Sequence, residues 1–192
     1  MVVYAPANSR VRAFIGVELA QELSTAIHDS AMALSMPGVS MVQKENLHIT
    51  LAFLGDITVQ TLERIVSVLS SFEVSKFPIT VRGFGAFGAK SPRIVYARIE
   101  EGSKELISIY NRILPSLKDL SIPTEERAYS PHITVARLHR RLGKISSDKL
   151  FASMNAVGEL GSMQMPGVSL MRSELNQNGA IYTRLFLKAP SP

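Results

Sequence analysis

The sequence predicts an α+β fold built from one strand-and-helix unit that occurs twice. The first observation is a repeated motif, because His48-Ile-Thr-Leu-Ala52 and His132-Ile-Thr-Val-Ala136 both read His-Ile-Thr, an aliphatic residue and alanine. The second is the order of the predicted elements, strand–helix–strand–helix–hairpin followed by helix–strand–helix–hairpin. Two lobes related by a pseudo-twofold axis would bring the two motif strands together across one cleft.

In the first half, strands rich in β-branched and aromatic residues alternate with helices whose apolar residues recur at helical spacing. Pro37-Gly38 ends the first helix, Gly55-Asp56 closes the first motif strand, and Thr58 is the expected N-cap of the second helix. The predicted elements are strands at residues 12–18, 39–43, 48–54, 77–87 and 93–100, and helices at 20–34 and 59–69.

The turn Ser91-Pro92 joins the last two of these strands into a hairpin, and the second half then repeats the pattern. Ser103 is the expected N-cap of a helix that extends to about residue 120, and Pro115 marks a kink or an early end within it. The remaining predicted elements are the second motif strand at residues 132–136, a short helix at 146–154, and strands at 163–174 and 180–188 joined by the hairpin turn Asn176-Gln-Asn-Gly179.

The composition limits the class of protein. A chain of 192 residues with 46% hydrophobic residues can bury the core of one domain of ordinary size. The net charge of +5 suits a polyanion such as RNA, although the excess is modest. The chain has no cysteine, which excludes disulfides and cysteine nucleophiles and fits a reducing cytosol, so we expect a cytoplasmic protein. We find no signal-peptide pattern and no apolar run near the roughly 20 residues that span a bilayer, so we expect no membrane partner.

The two motifs carry the candidate chemistry. Side chains alternate across a strand, so His48 shares a face with Thr50, and His132 shares a face with Thr134. Histidine titrates near neutrality, so the pair can act as acid and base while hydroxyls and an arginine hold anionic oxygens, as a phosphodiester site requires. The side chains expected on the opposite, core-facing side are Ile49, Leu51, Phe53, Ile133 and Val135.

Other kinds of site fit the sequence less well. Two histidines without a carboxylate nearby make a poor metal-ligand set, so we expect no metal and no cofactor. An acyl hydrolase would need a nucleophile and an orienting carboxylate, which the motifs lack. The run from Gly83 to Gly88 is glycine-rich but follows strand periodicity, so it predicts a bent strand rather than a phosphate loop. His28 and His139 are interpreted as structural.

At this point the residues resemble a known family. Glu45-Asn-Leu-His-Ile-Thr-Leu-Ala-Phe-Leu-Gly-Asp56 and Tyr129-Ser-Pro-His-Ile-Thr-Val-Ala-Arg137 resemble the two His-x-Thr-x motifs of the 2H phosphoesterases. The resemblance is closest to the RNA 2′,3′-cyclic phosphodiesterases, also called 2′-5′ RNA ligases. Residues 12–18 resemble that family's opening strand and residues 91–97 its central hairpin, and the similarity spans residues 11–188.

The resemblance implies one domain, residues 1–192, of two intertwined lobes in which antiparallel sheets line a central cleft and helices lie outside. It implies a metal-independent enzyme, expected to be a monomer, that opens the terminal 2′,3′-cyclic phosphate of RNA to a 2′-phosphate. In the family, the reaction also joins RNA reversibly through 2′-5′ bonds. Two alternatives stay open, namely a phosphodiesterase for a small cyclic nucleotide and a non-catalytic module that binds RNA ends.

By residue match, the resemblance implies that His48 and His132 are catalytic, that His132 is the base for water and that His48 is the acid for the 3′ oxygen. It implies that Thr50, Thr134 and Arg137 hold phosphate oxygens. Arg137 lies an odd number of positions after His132, so it reaches the cleft only if a bulge or a strand end redirects it. Phe14 has two interpretations, a platform under a nucleobase and, in preference, a residue of the core.

Overall fold

The structure, a computed structural model, describes residues 9–88, 92–124, 128–139, 144–177 and 179–191. In these ranges it contains nine strands and four α-helices, and single-turn 3-10 helices at Met32–Leu34 and Lys44–Asn46. The strands are β1 (Arg10–Glu18), β2 (Val39–Met41), β3 (His48–Thr58), β4 (Pro78–Phe87), β5 (Ile94–Glu101), β6 (His132–Leu138), β7 (Glu159–Gln164), β8 (Val168–Asn176) and β9 (Gly179–Lys188). The helices are α1 (Gln21–Ala31), α2 (Val59–Ser71), α3 (Ser103–Asp119) and α4 (Lys144–Asn155).

All the strands join one antiparallel sheet in the order β7-β4-β5-β6-β3-β1-β8-β9, and β2 pairs with β6. The two motif strands, β3 and β6, lie at the centre and pair through Ile49 and Ile133. Each is followed outward by three further strands, so the sheet has two halves that an approximate two-fold axis relates at this pair. The predicted duplicated α+β fold is therefore confirmed.

The helices connect the halves. Helix α1 follows β1 in one half but packs against β7 and β6 in the other, whereas α3 follows β5 and packs against β3 and α2. Ile27 of α1 and Leu106 and Ile113 of α3 are almost fully buried, because apolar side chains at helical spacing pack against the opposite half of the sheet. This exchange of helices supports our proposal of one domain made of two intertwined lobes.

The first motif strand is longer than predicted. It continues through Gly55-Asp56 to Thr58, because Gly55 adopts a left-handed conformation (φ +68) that accommodates a bulge instead of ending the strand. A second bulge at Leu51 places Thr50 opposite Gly16 of β1 and Ala52 opposite Ile15. The core-facing position predicted for Phe53 is therefore wrong, since Phe53 pairs with Phe14 on the cleft side and is 61% exposed.

Other element boundaries also differ from the prediction. The strand predicted over residues 163–174 is two strands, β7 and β8, with Pro166-Gly167 between them. The N-cap of α3 is Gly102 at φ 82 rather than Ser103, and the helix continues through Pro115. Helix α1 ends at Ala31 before a 3-10 turn. The β4–β5 hairpin is confirmed, although Ser91 in its predicted turn lies outside the described residues, as does Asn178 in the β8–β9 turn.

The predicted N-cap of α2 is confirmed, because the Thr58 hydroxyl accepts a hydrogen bond from the Thr61 N–H at 3.1 Å. We expect Thr58→Ala to lower the free energy of unfolding by about 1 kcal/mol, since a first-turn N–H then loses its partner. Thr58→Ser keeps the hydroxyl and should change it much less. Urea unfolding of the two variants measures this free energy. An equal loss of stability in both variants would show that the hydroxyl does not stabilise the helix.

Candidate active site

The two motif histidines are held in the same way. The His48 ring donates from Nδ1 to the Asn46 carbonyl at 2.7 Å, and the His132 ring donates from Nδ1 to the Ser130 carbonyl at 2.8 Å. A carbonyl can only accept, so each neutral ring carries its proton on Nδ1 and presents an unprotonated Nε2. In His48 this nitrogen accepts from the Thr50 hydroxyl at 2.9 Å. The backbone therefore sets the tautomer at which each ring can exchange a proton.

Aromatic side chains hold both imidazoles. The His48 ring centroid lies 4.6 Å from that of Phe14 and 5.1 Å from that of Tyr182. On the other side of the cleft, the edges of Phe87 and Tyr96 approach His132, with centroids 4.9 and 5.5 Å from it. Phe87 and Tyr96 stack on each other at 4.3 Å. Packing of this kind limits the rotation of the rings and fixes the direction of Nε2.

A glycine makes room for the second of these arrangements. A Cβ atom at Gly85 would lie 2.6 Å from the Tyr96 ring, so only glycine allows that ring to cover β4 at this point. The glycine-rich run is part of strand β4, as predicted, and the irregularities in register fall at residues 80–84, at the start of that run. The glycines therefore serve the shape of the sheet and the placement of Tyr96.

A bulge brings Arg137 into the cleft. In the β5–β6 ladder, Tyr96 pairs with Thr134 and Ile94 pairs with Arg137. One residue on β5 therefore faces two on β6, and Val135 is the extra, bulged residue. The Val135 carbonyl accepts a hydrogen bond from the Val42 N–H. Residues 94 and 96 share one face of β5, hence Arg137 shares the face of Thr134 and His132. This is the bulge that the odd spacing of Arg137 requires.

The pKa shifts of His48 and Tyr182 agree with the position of Arg137 in the cleft. Burial lowers the pKa of His48 below its ordinary value of 6.5, the Asn46 carbonyl opposes this, and the positive charges of His132 and Arg137 lower the pKa further. Burial raises the pKa of Tyr182, and the charge of Arg137 opposes this rise. His132 and Arg137 therefore lie close enough to His48 for their charges to lower its pKa.

The structure places four predicted side chains, His48, Thr50, His132 and Thr134, on the cleft face together with Arg137. Phe14 lies beneath them, is 3% exposed and contacts both His48 and Tyr182. Its burial agrees with the preferred interpretation of Phe14 as a core residue, and the ring supports the first histidine.

Several contributing residues were not predicted. The Tyr129 hydroxyl donates to the Thr50 carbonyl at 2.9 Å and ties the segment before β6 to β3. This tyrosine opens the second motif, so its position beside the histidine was a usable signal. Tyr182 and Phe87 come from strands distant in sequence, and no local pattern marks them. His139, interpreted as structural, hydrogen-bonds to Ser40 of β2.

A cavity of about 360 Å³ adjoins His48, lined by Glu18, Lys44, Met171 and Tyr182 among others. Within the described ranges, no three His, Cys, Asp or Glu side chains cluster as metal ligands would. In the same part of the chain, no helix has the length and apolarity to cross a membrane. The site thus offers two imidazoles, two hydroxyls and a guanidinium, which together can move protons and hold an anion.

Comparison with known proteins identifies relatives over both halves of the chain that contain the motifs. The family model described as LigT-like phosphoesterase matches residues 15–96 and again residues 99–182, so each match contains one motif. The RNA 2′,3′-cyclic phosphodiesterase of Methanothermobacter thermautotrophicus is 35% identical over 182 residues, covering 91% of this chain and 96% of that protein. The protein of the same name from Aeropyrum pernix is 32% identical over 167 residues, covering 86% of this chain and 94% of that one.

Solved structures share the fold. The TT0787 protein of Thermus thermophilus superposes with a TM-score of 0.78 at 24% identity and covers 93% of this chain and 97% of its own. Escherichia coli LigT complexed with 3′-AMP superposes with a TM-score of 0.80 at 20% identity and covers 96% of this chain and 100% of its own. The duplicated fold, the paired His-x-Thr motifs and the sequence matches together show that the chain belongs to the LigT-like phosphoesterases of the 2H phosphoesterase family.

Proposed function

We propose that this phosphoesterase is an RNA 2′,3′-cyclic phosphodiesterase that opens a terminal cyclic phosphate to a 2′-phosphate. The observation that carries the proposal is the matched pair of histidines, each with Nδ1 held by a backbone carbonyl and with Nε2 left for proton transfer. The names of the relatives support the substrate class. The basic charge of the chain is consistent with a polyanionic substrate.

In the proposed mechanism, water attacks phosphorus while one imidazole takes its proton, and the bond to the 3′ oxygen breaks as the other imidazole donates a proton to it. One water is consumed, and a 2′-phosphate and a free 3′ hydroxyl are formed. In-line attack places the two oxygens on opposite sides of phosphorus, and histidines from two strands can flank it in this way. Thr50, Thr134 and Arg137 would hold the non-bridging oxygens and balance the developing charge.

We assign the acid to His48 and the base to His132, following the family resemblance. Burial favours neutral His48 in the free enzyme. A bound phosphodiester anion would favour the protonated ring, which an acid needs. The Thr50 hydroxyl, which donates to His48 in the free protein, would turn to a phosphate oxygen. With the 5′ hydroxyl of another RNA in place of water, the same transfers would form a 2′-5′ bond.

Product analysis with a cyclic-ended oligonucleotide tests the proposal. We expect the wild-type protein to yield a 2′-phosphate, and His48→Ala and His132→Ala each to lower kcat by about 10²–10⁴-fold, since each removes one proton transfer. His139→Ala, which alters a histidine outside the pair, is the matched control and should retain activity. A 3′-phosphate product, or near-full activity in a folded variant of either motif histidine, would contradict the mechanism.

The pH dependence tests the assignment of the acid. An acid must be protonated, and the pKa of His48 is lowered, so kcat/KM should begin to fall at a pH below 6.5 as His48 loses its proton. In the substrate complex the phosphate anion raises that pKa, so kcat should fall only at higher pH. A substrate with sulfur in place of the 3′ oxygen has a leaving group that needs no proton. With this substrate, the fall in rate at high pH should disappear, and His48→Ala should regain activity whereas His132→Ala should not. Rescue of His132→Ala instead would make His132 the acid and His48 the base.

We propose that the reaction needs no metal, because no three His, Cys, Asp or Glu side chains cluster as ligands in the part of the chain that the structure describes. We expect turnover of the cyclic-ended oligonucleotide to be unchanged after exhaustive treatment with EDTA and dialysis. The control is a parallel sample to which Mg²⁺, Mn²⁺ or Zn²⁺ is returned. A loss of activity that one of these ions restores would show that the reaction uses a metal.

A further inference from the structure

Arg98 lies beside the second motif histidine on the catalytic face. In the β5–β6 ladder, Arg98 is the direct partner of His132. Residues that face each other across an antiparallel pair point to the same side of the sheet, so the Arg98 side chain shares the face of His132. This side chain is exposed, and no step of the proposed mechanism uses its charge.

The guanidinium of Arg98 extends outward from the cleft, over β4. A Cβ atom at Gly83 of β4 would lie 3.5 Å from Nη1 of Arg98, and β4 is the second strand out from β6. Neighbouring strands lie about 4.8 Å apart, so the guanidinium is roughly 10 Å from the β6 backbone. Arg98 is therefore placed to meet a part of the ligand that lies beyond His132, and not the phosphate between the two histidines.

Arg98 forms no ion pair with a carboxylate in the part of the chain that the structure describes. Glu100, two residues further along β5, and Glu159 of β7 instead form ion pairs with Arg82, at 3.2 and 3.3 Å. A guanidinium carries five N–H donors in a planar fork that matches the oxygens of a phosphate. The donors of Arg98 are therefore available to an anionic ligand.

The equivalent position in the first half carries the opposite charge. Glu18 pairs with His48 in the β1–β3 ladder, as Arg98 pairs with His132 in the β5–β6 ladder. The Glu18 carboxylate already has a partner, because it forms an ion pair with Arg184 at 3.3 Å. The two halves therefore differ next to their histidines, and a further anionic group of the ligand is favoured on the side of His132.

The side of the cleft beyond His132 is the side of the attacking oxygen. His132 is the base in the proposed mechanism, so the nucleophile approaches from its side of phosphorus, whereas the 3′ oxygen leaves on the side of His48. A water molecule brings no charge to this position. The 5′ hydroxyl of a second RNA strand brings with it the phosphodiester of its first nucleotide, which would lie further out, beyond His132.

We propose that Arg98 binds the first phosphodiester of a second RNA strand whose 5′ hydroxyl attacks the cyclic phosphate. This inference rests on the proposed function and names the second substrate of that site. The bond from phosphorus to the 5′ oxygen forms as the hydroxyl gives its proton to His132. The bond to the 3′ oxygen breaks as His48 donates a proton to that oxygen. The product is a 2′-5′ diester with a free 3′ hydroxyl, and no water is consumed.

Acceptors that differ in charge test the proposal. In the joining of a 5′-hydroxyl oligonucleotide to a cyclic-ended one, Arg98→Ala should raise the KM for the 5′-hydroxyl strand by about tenfold, since one charge-assisted contact is lost. A nucleoside has a 5′ hydroxyl but no phosphate, so the variant and the wild type should use it equally. Hydrolysis of the cyclic end by water should be unchanged. Arg98→Lys keeps the charge and should lose less.

The matched control is Arg64→Ala, which removes an exposed arginine from α2 and should change none of these rates. An equal rise in KM for both acceptors, or no rise for either, would overturn the proposal. A fall in hydrolysis as large as the fall in joining would show that Arg98 acts on His132 or on the fold instead. A wild type that neither joins the strands nor cleaves a 2′-5′ diester would also overturn it.

Fluorescence anisotropy tests the contact without catalysis. Arg98→Ala should weaken the binding of a 5′-hydroxyl strand labelled at its blocked 3′ end, and should reduce the slope of log Kd against log salt by about 0.7. A strand that ends in a 2′-phosphate should bind equally to variant and wild type, and equal weakening of both strands would overturn the proposal. If the wild type turns over no cyclic phosphate, the proposed function fails, and the difference between the two strands still decides whether Arg98 binds the second one.

Discussion

The site depends on one point of contact between two strands. β3 and β6 pair through Ile49 and Ile133, whose side chains are fully buried, and beyond this pair the strands turn to different partners. The divergence opens the cleft, while the buried isoleucines anchor the residues on either side of them. Because His48 and His132 immediately precede this pair, two fully buried side chains anchor the strands next to the side chains that must be positioned most accurately.

The repeat shows how one motif can serve two purposes. Both copies hold the histidine by a carbonyl two residues earlier, and both place a bulge after the threonine. The backbone therefore treats the two copies alike, and the difference is in the side chain that the bulge redirects, an aromatic ring in one case and a guanidinium in the other. Symmetry of the backbone suits the proposed pair of proton transfers, and asymmetry of these side chains would let a substrate bind in one orientation.

The sequence was sufficient for the duplicated fold and for the His–Thr faces, because alternation in a strand is a local property. It failed where a bulge changes the alternation, as at Phe53, since a bulge is set by the partner strand and not by the residues that contain it. It also failed for Tyr182 and Phe87, which reach the histidines through pairings between strands distant in the chain. The strand predicted over residues 163–174 continued the apolar run across Pro166-Gly167, although this pair in fact separates β7 from β8.

Helices α1 and α3 each pack on the half of the sheet to which they do not belong, and this has a consequence for how such a chain could be divided. Each sheet half is covered by a helix that begins in the other half. A fragment with one motif would therefore lose one of the helices that cover its half of the sheet, and it would carry a helix whose packing surface lies in the missing half. Two copies of that fragment could satisfy each other by exchanging helices, as in a domain-swapped dimer with one histidine from each copy. When the two copies are joined in one chain, the sequence of each half can change independently. In a symmetric dimer of identical chains, every change occurs in both halves.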